Sequence, residues 1–407
     1  MPKILRNIFI CVLILIIIVA FSSSYASLNI DNLAYVFAIG IDASDENTLE
    51  VTFEFSTTTG SSESGSTEKS KPIINSVTAS SLSSAINLMD SYLEKEINLS
   101  HCKAIIFCEE IAYDGISDEI YTLINNTQIR PSANIIISKC KAKYYIEQTK
   151  PELESSVAKY YEILSDSSKY TGYIPNSTIG DFFNSLICKD CDPYAILGGV
   201  NQSTQENTTM ANSEKDFNVK ANESSIKGEI GTENLGLAIF KDDRIVGELD
   251  ALETICFMTL KNNINRFLIS VPDPVHEGNY IDIYFMPYDS TSVKIDTSSP
   301  SPYIKIKVKL SGKIYSMSED SSYLQPEILD AISNNCNSYL QYAISDFLYK
   351  TSKEFHCDIV GFGENASSNF FTTKDLNNYK WLESYKNAFF DVKVDTSVES
   401  GMLITET

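Results

Sequence analysis

Between residues 303 and 348 the chain changes its hydrophobic period, and this change restricts the fold more than any other feature. Ile304, Ile306, Val308 and Leu310 alternate with Lys305, Lys307 and Lys309. A period of two puts the aliphatic side chains on one face of a strand and the ammonium groups on the other. The pattern predicts an antiparallel strand with one dry and one solvated face. Pro326 then opens a stretch in which Ile328, Ile332, Cys336, Leu340, Ile344 and Leu348 recur every four residues. Proline is tolerated in the first turn of a helix. A four-residue step drifts around a helix of 3.6 residues per turn, so the predicted long helix carries a stripe that wraps across the face it covers. A helix near 375–389 and a strand at Phe390–Val394 complete a C-terminal α+β unit.

The N-terminal half reads differently. Leu33–Asp42 is an apolar run suited to a buried strand, and Leu49–Phe55 alternates; turn residues at 45–47 between them predict a hairpin. Residues 56–71 are nearly all Ser, Thr, Gly, Glu and Lys, an exposed loop. Leu82, Ile86, Met89 and Leu93 mark an amphipathic helix. Cys102–Phe107 as strand, Ile111–Asn125 as helix and Ala133–Ile137 as strand suggest a sheet with helices packed on it. Helices follow around Ala142–Gln148, Ser155–Leu164 and Thr178–Ile187. Beyond a polar stretch at 201–234, Leu237–Phe240 and Ile245–Leu249 form a hairpin, followed by a short helix at 250–260 and strands near Phe267–Val271 and Tyr280–Phe285. Residues 289–302 are rich in turn formers. The fold class read from this is α+β, mixed α/β, with mixed sheets flanked by helices. Its expected parts are an export or anchor segment at 1–26, an N-terminal mixed α/β domain at 27–205, a small middle domain with the hairpin at 206–290, and a C-terminal α+β domain with the long helix at 291–407.

The segment 1–26 has the three parts of a secretory signal. Lys3 and Arg6 precede the apolar run Ile8–Phe21, and small residues follow, with Ser24 and Ala26 placed for cleavage after Ala26. The run is short of the roughly 20 residues that span a bilayer, but with the serines it makes a marginal anchor. In either form the positive flank stays in the cytoplasm and the body lies outside. The chain carries 32 basic and 54 acidic residues, a net −22 with no long Lys/Arg cluster, which sets nucleic-acid binding aside.

Motifs with chemistry are few. The chain has no phosphate-binding, dinucleotide, zinc-protease or nucleophile-elbow string, so no catalytic, cofactor-binding or metal-binding residues are assigned and no cofactor is expected. Cys11 lies inside the apolar run after Ile10 and is not a lipobox cysteine, so no lipidation site is assigned. Cys188-Lys-Asp-Cys191 is the one motif matching a mechanism by spacing. A C-x-x-C pair is a redox dithiol, half of a zinc site or a local disulfide. No second C-x-x-C exists and the pair follows a helix, which favours a local disulfide or plain thiols. His101 beside Cys102 and His356 beside Cys357 read as structural histidines, and Gly361-Phe-Gly363 as a turn.

Several stretches together resemble the Ger(x)C family, the C subunits of the nutrient germinant receptors of bacterial endospores. Asn29–Asp42, ending in Gly-Ile-Asp, looks like the family's opening strand. His101–Arg130, with Glu109-Glu-Ile-Ala112 and Gly115-Ile116, is similar to its next block. Gly236–Leu249 looks like its middle hairpin, and Cys357-Asp-Ile-Val-Gly-Phe-Gly363 with Trp381 resembles its C-terminal signature. The resemblance implies a three-domain, non-catalytic subunit that assembles with two membrane-embedded partners, the A and B subunits, at the spore inner membrane. Members usually carry a lipidated cysteine followed by Trp-Asp; here Ser27-Leu28 stands near that position, so attachment would fall to the N-terminal segment. The alternative is a stand-alone exported solute-binding protein with a cleft between its first two domains.

Overall fold

The computed structural model describes residues 32–399, apart from Glu46, Ser155, Ser225 and the stretches 57–71, 151–153, 202–217, 227–229 and 317–324, together with a few helical positions between Ile4 and Ile14. Most of the expected export or anchor segment, residues 57–71 of the loop expected at 56–71 and much of the polar stretch at 201–234 therefore lie outside the described residues.

The architecture is mixed α/β, two sheets flanked by helices. The first sheet contains β1 (Leu33–Ala43), β2 (Leu49–Phe55), β3 (Ile73–Ala79), β4 (Glu96–Asn98), β5 (Ala104–Cys108), β6 (Asn134–Ser138), β7 (Tyr194–Val200), β8 (Thr232–Lys241) and β9 (Arg244–Leu249). Its order is β3-β2-β1-β5-β6-β7-β8-β9, with β4 beside β1. The centre β1-β5-β6-β7 is parallel, and antiparallel strands flank it on both sides. Every residue of β5, β6 and β7 is buried, as a parallel sheet covered on both faces requires. One face is covered by α1 (Leu82–Tyr92), α2 (Glu109–Asp114), α3 (Ser117–Asn125) and α6 (Ile179–Ile187). The other is covered by α4 (Ala142–Gln148) and α5 (Val157–Thr171).

The second sheet runs β10 (Phe267–Pro272), β11 (Tyr280–Pro287), β13 (Tyr303–Ser316) and β12 (Ser292–Asp296), with β14 (Phe389–Glu399) on the far side of β13. Ile304, Ile306, Val308 and Leu310 are buried on its dry face. The long helix α8 (Pro326–Tyr349) covers that face with Ile332, Cys336, Leu340, Ile344 and Leu348. Between the sheets lies α7 (Ala251–Leu260), started by a capping box in which Asp250 and Glu253 satisfy each other's backbone N–H groups. Residues 254–260 of this helix are all buried, and a helix apolar all round needs cover on every side. Tyr194, Leu237, Ile239 and Leu249 of the first sheet share one apolar core with α7, α8 and the second sheet. The two halves are thus packed as one body.

Several expectations change. Among the described residues, those expected as a middle domain at 206–290 have no sheet of their own: β8 and β9 extend the first sheet, and β10 and β11 belong to the second. A two-stranded hairpin alone is marginal in water, and the unforeseen strand β7 offers β8 an edge to pair with. The helix expected at 111–125 is two helices, broken at Gly115, where φ is 117°. The helix expected near 375–389 is likewise α10 (Thr373–Tyr379) and α11 (Trp381–Tyr385), divided at Lys380, where φ is 53°. The turn-rich stretch at 289–302 contains β12, and β13, antiparallel to β11 and β12, is parallel to β14.

Candidate functional site

The motif residues gather along one seam between the sheets. The loop 188–193 leaves α6 at Cys188, whose N–H donates to the carbonyls of Asn184 and Ser185. Cys188 and Cys191 are joined by a disulfide, their Cα atoms 5.7 Å apart. Asp192 is buried, and its Oδ2 accepts the Asp358 N–H at 2.8 Å; its own N–H donates to the Asp358 carbonyl at 3.2 Å. Asp358 is the centre of the seam. Its Oδ1 accepts the N–H groups of Gly361 (2.9 Å) and Phe362 (3.1 Å), and its Oδ2 accepts those of Gly363 (2.8 Å) and the Trp381 indole (2.8 Å). The carboxylate thereby satisfies the first turn of α9 (Phe362–Ala366), which has no other side-chain cap. Burial outweighs those four donors and lifts Asp358 to about 6. Asp192 is pushed up to about 7, by burial first, with the nearby Asp358 charge adding to it.

Glycine is required twice along this seam. A Cβ at Gly363 would stand 2.0 Å from the Asp190 carbonyl oxygen and 2.6 Å from Trp381 Cδ1, so the 188–191 turn lies directly on α9. At Gly115, φ is positive and a Cβ would meet Asp243 Oδ2 at 2.6 Å. There the β8–β9 turn closes on the break between α2 and α3: Ile116 N–H donates to the Asp243 carbonyl at 3.1 Å and Ser117 N–H to Asp243 Oδ2 at 3.4 Å. The same hairpin returns to the loop 188–193 through Phe240 N–H to Pro193 O, 3.0 Å.

An ion cluster ties the remaining motif residues together. Lys139 pairs with Glu248 and with Glu109 at 3.4 Å, and Lys220 reaches Glu248 at 3.4 Å. Burial works against the Lys139 charge, but the two carboxylates outweigh it and raise its pKa; burial likewise opposes Glu248, which the two lysines hold below its ordinary value.

This arrangement is a structural lock. The Asp358 oxygens are fully engaged by structural donors. The thiols next to the two sequence-noted histidines are poor nucleophiles: burial pushes Cys102 up to about 12 and raises Cys357 further. His101 packs edge-on against Tyr35 at 4.8 Å, while His356 Nδ1 lies 3.1 Å from the Ser352 carbonyl. Separately, a groove of 520 Å³ opens at one end of β1–β3, lined by Tyr35, Phe55, Ile73, Tyr92 and Leu93, beside Leu33 where the chain leads back to its N-terminal segment. Sequence reasoning missed the roles of Asp192, Asp358 and Glu248; the one signal available was that Asp358 and Glu248 lie inside the family-like stretches and Asp192 directly follows the C-x-x-C pair.

Two family models match. One, described as the spore germination protein N-terminal domain, covers residues 27–197; the other, described as spore germination B3/GerAC like, C-terminal, covers residues 235–401. The protein YfkR of Bacillus subtilis (strain 168), named as a spore germination protein, is 21% identical over 99% of each chain. Spore germination protein KC of the same organism is 20% identical over 97% of this chain and 95% of its own length. The crystal structure of the GerBC protein shares the fold, with a TM-score of 0.52 at 15% identity, covering 88% of this chain and 96% of that one.

Proposed function

The chain belongs to the Ger(x)C (GerAC-like) family of spore germination proteins, and from that premise we propose that it is the non-catalytic C subunit of a nutrient germinant receptor complex. It acts through protein contacts with the membrane-embedded A and B subunits, on the extracytoplasmic face of the spore inner membrane. The observation that carries this reading is the match of both family halves, in order, along a chain whose halves are locked together at Asp358. Attachment would come from the segment 1–26 and from the partners; among the described residues no helix is long and apolar enough to cross a membrane. A seam whose carboxylates are occupied by backbone and indole donors supports a role in assembly rather than in bond making.

The test is affinity purification of the tagged chain from spore membranes. Co-purification of a polytopic transporter-like subunit and a second, large membrane subunit is the expected result, with loss of the nutrient response on deletion of this chain. Complexes that assemble and respond without it would overturn the reading. A specific thermal shift of the purified chain by an amino acid or sugar, with no partner present, would favour an exported solute-binding protein instead.

A further inference from the structure

Glu364 lies 173 residues beyond Cys191 and 176 beyond Cys188 in sequence, yet one ligand atom from each of the three lies within 4.8 Å of the others. The Cys191 sulfur and Glu364 Oε1 are 3.9 Å apart. Cys191 is buried, Cys188 half-buried and Glu364 exposed, so the group opens to solvent on one side. Packing sets this geometry from both directions. The 188–191 turn is pressed onto α9 at Gly363, and the paired hydrogen bonds between Asp192 and Asp358 hold the loop just beyond it. Glu364 forms no ion pair among the described residues, and a disulfide sulfur has no proton to give it.

We infer that the Cys188–Cys191 pair, once reduced, binds a thiophilic divalent cation of the Zn²⁺ type, with Glu364 as third ligand and water in the fourth place. Reduction by a dithiol transfers two electrons and two protons: the 188–191 disulfide becomes two thiols and the reductant becomes the disulfide. The cation then displaces both thiol protons and is held by two thiolates and one carboxylate. That donor set is of the zinc kind, with one position left open. Tetrahedral zinc places its ligand atoms roughly 3.5–3.8 Å apart, a span this cluster reaches by side-chain rotation once the sulfurs are free. Because Cys188 and Cys191 lie in the N-terminal family half and Glu364 in the C-terminal one, a bound ion would clip the halves together where the disulfide joins only neighbours in sequence.

The full chain in detergent would be reduced with dithiothreitol, desalted under argon and titrated with Co²⁺. The expected result is one equivalent bound, with a thiolate-to-cobalt charge-transfer band that Zn²⁺ abolishes, and no band in the oxidised protein. Replacing both Cys188 and Cys191 by serine should remove the band. Glu364→Gln, an exposed change that leaves folding intact, should weaken binding at least about tenfold, the range seen for changes around metal ligands. Near-ultraviolet circular dichroism establishes that each variant is folded. The inference is overturned if the reduced protein shows no band, if the band survives in the double serine variant, or if Glu364→Gln binds as tightly as the parent chain.

Discussion

The two sheets solve burial in opposite ways. In the first, β5, β6 and β7 are buried at every residue, because helices cover both faces. In the second, β14 alternates buried and exposed residues from Val392 to Glu399, because α7 and α8 cover one face only. Polar groups are therefore costly in the first sheet and nearly free in the second. Glu54 in β2 shows the cost: both carboxyl oxygens are buried without a hydrogen-bond partner among the described residues. Lys305, Lys307 and Lys393 on the open face of the second sheet carry charge at little expense.

The largest expected effect comes from cutting the connection between these regions. Asp358→Ala leaves four N–H donors without their acceptor in a buried site, a cost on the order of 3–5 kcal/mol. Trp381 is the single tryptophan and touches Asp358, so its fluorescence reports the seam and the second sheet, while far-ultraviolet circular dichroism reports both. In urea the parent chain should give coincident transitions with the two probes, and the variant an earlier fluorescence transition. Coincident transitions in the variant, displaced by less than about 1 kcal/mol, would show that the halves do not depend on this carboxylate.

Next is Glu54. Burial lifts it from the ordinary value of 4.5 to about 8, and the Tyr161 hydroxyl beside it offsets little. The native state therefore keeps a proton that the unfolded chain gives up above pH 4.5. Stability is unaffected by this group below that pH and falls as pH rises from 4.5 to 8. At pH 7 the loss is on the order of 3 kcal/mol. Asp192, Asp250 and Asp358, lifted to about 7, 6 and 6, act with the same sign. Glu54→Leu should stabilise the protein by an amount that grows between pH 4.5 and 8, measured by urea unfolding across that range. A difference that does not vary with pH would show that Glu54 is ionised, and therefore solvated, in the native state.

What could be read from the sequence follows the same division. The second sheet announced itself, since Ile304 to Leu310 can alternate with lysines only where one face is wet. The long helix did so too, from Ile328 to Leu348. The first sheet's central strands lack that contrast, and β7 is hidden because Gly198 and Gly199, residues that strands disfavour, stand near its end. The reason for Gly198 exists only in three dimensions: a Cβ there would meet Ile136 at 2.7 Å and Tyr145 at 3.0 Å. The seam was legible only as separate stretches. Nothing in the string Asp358-Ile-Val-Gly-Phe-Gly363 says that its first residue caps the helix begun by its last two and binds Trp381. Periodicity describes one element at a time, whereas the distance between Cys191 and Glu364 depends on how two sheets share a core.

The smallest expected effect lies on the open face. Lys307 stands directly opposite Lys393 in the β13–β14 pairing, and Lys309 stands opposite Asp395 while bridging to Asp289 at 3.0 Å. Like charges facing each other across strands destabilise, and opposite charges stabilise, by a few tenths of a kcal/mol to about 1. Lys307→Glu should accordingly stabilise the protein by about 0.5 kcal/mol at low salt, and Lys309→Glu should destabilise it. Both effects should fade as salt rises toward 1 M, where the screening length falls to about 3 Å. The pair reverses charge on adjacent outward positions of one strand, so differences in burial or strand propensity largely cancel. If the two variants shift urea midpoints in the same direction, charge placement on this face is immaterial to stability, and the contrast between the sheets reduces to their apolar cover.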